Sequence, residues 1–159
     1  MAEVILICGK IGCGKTTYAK ALCREGRGVL LSVDEVMLTL FGQHCGEKHD
    51  SYAARTKDYL LRQSLSLVRA GVDVVLDWGF WTGEERSRTK AFFREQGISC
   101  QLHYLSVKDA LWQERLTRRN EAVQAGRCEA YFVDENLARK FAQRFEEPDG
   151  AEIDCLVEA

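Results

Sequence analysis

Apolar and polar positions along the chain fall into blocks of two kinds. Short, nearly continuous apolar runs stand at Val4 to Cys8, Val29 to Val33, Val72 to Asp77 (ending in its carboxylate), Gln101 to Val107 and Ile153 to Val157. Runs of this length predict strands, and those without alternation predict burial on both faces. Longer segments between them repeat apolar residues at helical spacing. Lys15 to Glu25 does so through Ala19, Leu22 and Cys23 and closes at Gly26, and Ser51 to Ala70 does so through Leu61, Leu65 and Val68 and closes at Gly71. A third such helix covers about 83 to 96, and a fourth covers Asp134 to Glu146, with Leu137, Ala138, Phe141, Ala142 and Phe145 on one face. Asp34 to Phe41 predicts a short helix and Gly42 to Asp50 a polar surface loop. Leu111 to Arg119 predicts a helix interrupted by the polar stretch Asn120 to Glu129. Strands alternating with helices predict an α/β chain whose parallel sheet is covered on both faces.

The chain has 159 residues, which suits one domain over 1–159 with a sizeable core. Its 22 Lys and Arg against 24 Asp and Glu give a formal charge of −2, so no global positive field draws it to nucleic acid or anionic membrane. No apolar run approaches the roughly 20 residues of a membrane span, and the first apolar run lacks the basic flank and cleavage site of an export signal. A cytoplasmic protein is expected. The 7 cysteines include no CxxC pair, which predicts thiols used mainly as small apolar packing residues.

The first apolar run leads directly into Gly9-Lys10-Ile11-Gly12-Cys13-Gly14-Lys15-Thr16, followed by Thr17. This fits the phosphate-loop pattern GxxxxGK[S/T] at every fixed position. Glycines let successive backbone N–H groups point into one concavity, and the following helix adds its positive end, so residues 9–17 are expected to hold the phosphates of ATP. Lys15 is expected to reach the β- and γ-phosphates, and the Thr16 hydroxyl to ligate Mg²⁺. A plain strand-to-helix turn would not need the terminal GKT.

Three further groups suit phosphoryl transfer. Asp34 follows the second strand, so its carboxylate projects from the same sheet edge as the phosphate loop and can orient and deprotonate a hydroxyl. Alternatively, Asp34 or Ser32 caps the next helix. Asp77 ends the third strand beside the loop, where it is a candidate for Mg²⁺ or acceptor contact, or a carboxylate satisfied by nearby N–H groups. Arg115, Arg118 and Arg119 lie three or four residues apart, with Arg127 beyond; Arg115 shares a helical face with the other two and can face a phosphate chain with one of them. Arg86 is a candidate for an anionic acceptor. Of Trp78 and Trp81, one is expected to pack and one to touch substrate. His44, Cys45 and His49 lack a fourth ligand at zinc spacing and read as a surface loop. Cys13, inside the loop, is a candidate for oxidation if the helix end lowers its pKa.

Three stretches, GKIGCGKTT at 9–17, SVDEV at 32–36 and RLTRRN at 115–120, taken with the five-strand order, make nearly the whole chain resemble the P-loop small-molecule and polynucleotide kinases. Within that group it is most similar to the predicted kinases and ATPases related to the kinase domain of polynucleotide kinase, zeta toxins and chloramphenicol phosphotransferase. The resemblance implies a three-layer P-loop NTPase fold, a five-stranded parallel sheet in the order 2-3-1-4-5, and a site along the carboxyl ends of the strands. It also implies a small helical lid at about 115–133, in which Arg119 and Arg127 match the lid arginines, and it makes Asp77 the strand-end aspartate. Polynucleotide kinases carry SxDxxR, whose arginine contacts substrate phosphate, and this chain has Met37 at that position. The implied activity is transfer of the ATP γ-phosphoryl group to a hydroxyl of a small molecule. A polynucleotide 5′-hydroxyl kinase or a nucleotide-switch ATPase acting through a protein partner stands as the alternative.

Overall fold

Every residue of the first strand, β1 (Val4–Cys8), is buried, so the strand is covered on both faces. It lies between β3 (Val74–Gly79) and β4 (Cys100–Ser106), with β2 (Val29–Ser32) and β5 (Cys155–Glu158) at the edges. The computed structural model describes residues 1–158. All five strands run parallel in the order β2-β3-β1-β4-β5, as the resemblance implied. Parallel neighbours require crossovers, supplied here by α1 (Lys15–Arg24), α2 (Val33–Phe41) with α3 (His49–Arg69), α4 (Gly83–Glu95), and α5 (Asp109–Gln124) with α6 (Glu135–Arg144).

Alternate residues of β1 divide the core into two layers. Ile5 and Ile7 pack with Ala19 and Leu22 of α1, Trp112 and Leu116 of α5 and Ala138 of α6. Val4, Leu6 and Cys8 face the opposite layer, where Phe93 of α4 and Leu61, Leu65 and Val68 of α3 cover them. Burying such an aliphatic side chain stabilises the fold by roughly 1.5–3 kcal/mol, so this strand anchors both layers. A smaller cluster, centred on Val33, Met37 and Leu60, joins α2 to α3.

Register sets the level at which the sheet ends. Ile7 pairs with Asp77, and Asp77 pairs with Ser32. The next β1 residue, Cys8, pairs with Gly79, so Trp78 is an extra residue that bulges β3. The Gly79 carbonyl then accepts from Gly9 N–H at 3.2 Å, tying the end of β3 to the start of the phosphate loop.

Several boundaries shift by one or two residues from the apolar pattern, β3 for example running Val74–Gly79 and α3 starting at His49, and two of the differences have a clear local reason. Val33 opens α2 instead of ending β2, because the Ser32 hydroxyl caps the helix by accepting from Glu35 N–H at 3.3 Å. Helix α5 continues through Asn120 to Gln124 where a polar interruption was expected. Asn120 does not compete with its own backbone: its amide donates to Val133 O at 2.5 Å and accepts from Val133 N–H at 2.9 Å.

Arg86 is not available to an anionic acceptor. It is 2 % exposed and donates to the Phe80 and Glu146 carbonyls, both at 2.9 Å, and to Glu152 at 2.9 Å. It thereby clamps the segment before β5 onto α4. Its hydrogen bond holds the Glu152 carboxyl below the ordinary glutamate value of 4.5, so this stabilisation is complete above that pH and is lost as pH falls through the lower folded-state value. Arg86→Ala strands two carbonyls and a carboxylate and is expected to cost about 3–5 kcal/mol. Urea unfolding at neutral pH measures this loss, and the gap to wild type should narrow below pH 4.5.

Candidate active site

The phosphate loop owes its shape to glycine and to a brace from α5. Gly12 (φ 74°) and Gly14 (φ 107°) are left-handed, a conformation that L side chains rarely adopt. A Cβ on Gly12 would also meet Leu116 Cδ1 at 2.9 Å. Helix α5 lies against the outer side of the loop. Trp112 Nε1–H donates to Ile11 O, and Arg115 donates to Cys13 O, both at 2.6 Å. In a trans peptide the C=O and the next N–H point in opposite directions. Carbonyls of Ile11 and Cys13 turned towards α5 therefore send the N–H groups of Gly12 and Gly14 into the concavity. Gly14 caps α1 without a side chain, so the first amides of that helix stay free for an anion.

Lys15 Nζ donates across the mouth of the loop to Lys10 O at 2.8 Å, which engages one of its three donors. Lys10 itself lies over the Trp112 ring, 5.2 Å from its centroid, and 3.7 Å from Asp109. Cys13 is 1 % exposed and its sulfur packs against Gly9, so it serves as a buried spacer. Thr17 is exposed on the first turn of α1.

Asp77 is 5 % exposed at the end of β3 and accepts from the Thr16 hydroxyl at 2.8 Å. Burial pushes its carboxyl above the ordinary range and Asp34 acts in the same sense, against Lys15, the Thr16 hydrogen bond and Arg119. Asp34, Lys15 and Arg119 are thus all close enough to Asp77 to act on its charge. Because Ser32 caps α2, the Asp34 carboxylate on the exposed first turn is left unassigned to the helix end. Thr16 and Asp77 form an oxygen pair suited to Mg²⁺, and the desolvated carboxylate would gain from a cation. The inward N–H groups and the Lys15 ammonium suit a triphosphate.

The three arginines expected on one helical face divide their work. Arg115 braces the loop, Arg118 is 75 % exposed and pairs with Glu114 at 2.6 Å, and the Arg119 charge favours the ionised form of Asp77. Arg119 Nε is buried without a hydrogen-bond partner among the described residues, as is the hydroxyl of Tyr131, and such orphaned groups each cost about 1–3 kcal/mol. Arg127 is exposed in the turn that closes α5, away from any bond to the loop. Both tryptophans have aromatic packing partners, Trp78 on Phe80 (5.1 Å) and Trp81 on Phe141 (4.9 Å). Among the described residues there is no group of three or more His, Cys, Asp or Glu able to hold a metal; His44 and Cys45 lie in the connection after α2, and His49, expected in the loop, opens α3.

Residues missed from sequence are Trp112, Leu116, Gln43 and Tyr131. Trp112 carried a usable signal, since an indole donor three residues before Arg115 lies on the same helical face. Tyr131 and Gln43 meet only through the tertiary fold.

A glycine loop that opens a helix after the central strand of a 2-3-1-4-5 parallel sheet, with an acid at the end of the adjacent strand, defines a P-loop nucleotide-binding protein. Residues 4–148 match AAA_33, described as an AAA domain, and the chain belongs to that family. Its fold is similar to a sugar kinase from Janibacter (TM-score 0.70, 16 % identity, 99 % of this chain and 86 % of that one). It is similar to the APS kinase of Mycobacterium tuberculosis in complex with AMPPNP and APS (TM-score 0.66, 15 % identity, 99 % and 88 %). A chain of the Pnkp1/Rnl/Hen1 RNA repair complex also matches (TM-score 0.71, 16 % identity, 90 % of this chain and 43 % of that one). No curated protein matches the sequence.

A carboxyl raised by burial holds a proton in the folded state that the unfolded chain has already released. Stability contributed by Asp77 therefore falls as pH rises from 3.8 through the folded-state value, and the ionised group is a liability at neutral pH. Asp77→Asn retains an acceptor for Thr16 and removes that liability. The variant should melt above wild type at neutral pH, with the difference shrinking towards pH 3.8, as read by calorimetry without ligands. A variant melting below wild type would contradict this.

Proposed function

We propose that this protein is an ATP-dependent phosphotransferase that moves the γ-phosphoryl group to a hydroxyl of a small molecule. The observation that carries this reading is the grouping of Lys15, Thr16, Asp34 and Arg119 around Asp77 at one end of the sheet, where each of the four acts on the Asp77 carboxyl. A domain of this fold with a donor loop and an uncommitted carboxylate beside it has the parts for transfer to a bound hydroxyl. Kinases among the structural neighbours support the class, and the AMPPNP in one of them supports a nucleoside triphosphate as donor.

In this reading the free N–H groups within residues 9–17, those of Gly12, Gly14 and the first turn of α1 among them, hold the triphosphate together with Lys15, while the Gly9 and Cys13 N–H groups keep their bonds to Gly79 and Lys10. Thr16 and Asp77 hold Mg²⁺, which when bound neutralises charge on the β- and γ-phosphate oxygens. Asp34 orients the acceptor hydroxyl in line with the γ-phosphorus. The acceptor oxygen bonds to that phosphorus as the bond to the bridging oxygen of ADP breaks, and the hydroxyl proton passes to Asp34. Lys15 and Arg119 stabilise charge on the transferring group, and the segment at about 115–133 serves as the lid that excludes water. Arg127 joins this set when the lid closes further. Arg115 acts on the nucleotide through the loop it braces.

Met37 speaks against a nucleic-acid 5′-hydroxyl as acceptor. It is 1 % exposed and packs against Thr56, with a sulfur to oxygen distance of 3.7 Å, so the position of the substrate-phosphate arginine belongs to the core.

Transfer of ³²P from [γ-³²P]ATP to glycerol, D-ribose, adenosine and a 5′-hydroxyl oligonucleotide tests the reading. Labelling of a small polyol or nucleoside, but not of the oligonucleotide, is expected. Asp34→Asn should lower turnover by about a hundredfold or more, and Arg119→Ala by about a thousandfold. Lys15→Met should abolish tight nucleotide binding. Full turnover by Asp34→Asn would remove the assigned base.

A further inference from the structure

Tyr131 lies in the segment between α5 and α6 and packs against the buried cluster of Val33, Met37 and Leu60, which flanks Asp34 on α2. His49 meets it edge-on at a centroid distance of 5.5 Å. Its hydroxyl is buried and has no hydrogen-bond partner among the described residues. That is not the result of a loosely held segment. The Gln43 side chain donates to Ala130 O at 2.6 Å and accepts from Phe132 N–H at 3.2 Å, gripping the peptide groups on either side of Tyr131. Asn120 grips Val133 by the same two-point bond. Four hydrogen bonds and an aromatic contact thus fix a phenol whose own polar atom is left without a partner.

Asp34 is close enough to act on this group. Burial pushes the phenol up to about 12, and Asp34 and then Cys45 add in the same direction, so it remains a protonated donor. A buried donor without an acceptor, held beside the carboxylate assigned to the acceptor hydroxyl, calls for a ligand oxygen. A hydrogen bond from Tyr131 to the attacking oxygen would draw electron density from the atom that must bond to phosphorus and lower its nucleophilicity, so the partner that does not oppose transfer is another oxygen of the same molecule.

We propose that Tyr131 is the lid's contact to the acceptor: its hydroxyl donates to an oxygen next to the one that Asp34 orients, which makes the acceptor a polyhydroxy compound. Gln43 is the positioning residue that holds Tyr131 there. This inference rests on the phosphotransferase reading and narrows its substrate class.

Phosphorylation of glycerol, D-ribose and adenosine is compared with that of 1-propanol, which offers one oxygen only, in wild type, Tyr131→Phe, Gln43→Met and Gln43→Glu. For the best of the three polyhydroxy probes, Tyr131→Phe should raise the acceptor KM at least tenfold while the KM for ATP stays within threefold. It should also reduce the preference over 1-propanol by the same factor. Gln43→Met should reproduce the rise in acceptor KM, and Gln43→Glu, which keeps the acceptor for Phe132 N–H, should recover part of it. A merely structural role would move both KM values or neither. An acceptor KM unchanged in Tyr131→Phe, or wild type that prefers 1-propanol, overturns the proposal and leaves the phosphotransferase reading standing. Wild type that labels none of the four probes overturns both.

Discussion

The site depends on one row of the sheet. Ile7, Asp77 and Ser32 stand side by side on three adjacent parallel strands, and beyond that row each strand gives way to a different functional element. β1 runs into the phosphate loop, β2 into the helix that carries Asp34, and β3 into the bulge at Trp78. Since β1 is buried along its whole length, a slip in this register would move Asp77 away from Thr16 and turn apolar side chains into the wrong layer. The hydrophobic pattern of the core thus fixes the relative heights of a carboxylate and a hydroxyl that take no part in the core.

Above that row the charges are balanced against burial. Asp77 is desolvated, opposed by Asp34 and supported by Lys15, Thr16 and Arg119, a mixture that leaves it poorly satisfied in the ligand-free chain. Such tension is common where a fold keeps a site ready for charged ligands. The two orphaned buried atoms, on Arg119 and Tyr131, belong to the same region and to the same segment of chain. Other buried side-chain nitrogen and oxygen atoms among the described residues have partners, as Arg86 does with two carbonyls and a carboxylate.

Much of this was legible in the letters. The strands, the order of elements and residues 9–16 follow from apolar runs and glycine spacing, because these are local properties of the backbone. The 2-3-1-4-5 order came from resemblance, since periodicity does not rank strands within a sheet. Asp34 and Asp77 could be placed at one edge of the sheet because strand ends are recognisable. What was not legible depends on partners distant in sequence. Arg86 reads as a free cation until Glu152, sixty-six residues away, is placed against it. Arg115 and Arg119 look alike on a helical wheel, and only docking of α5 against the loop separates a brace from a charge that acts on Asp77. Asn120 resembles a breaker until the Val133 backbone supplies what its amide needs.

The grip of α5 on the carbonyls of Ile11 and Cys13 bears on how the molecule moves. Through Trp112, Arg115 and Leu116 the first two turns of α5 and the phosphate loop form one rigid block. The far part of this region, about 125–134, is fastened separately, by the Asn120 and Gln43 clips. Gln43 reaches that segment from the loop after α2 and so ties that loop to the chain between α5 and α6. Under the proposed transfer reaction, release of these two amides would free the segment that carries Tyr131 while the bonds between α5 and the phosphate loop stay intact.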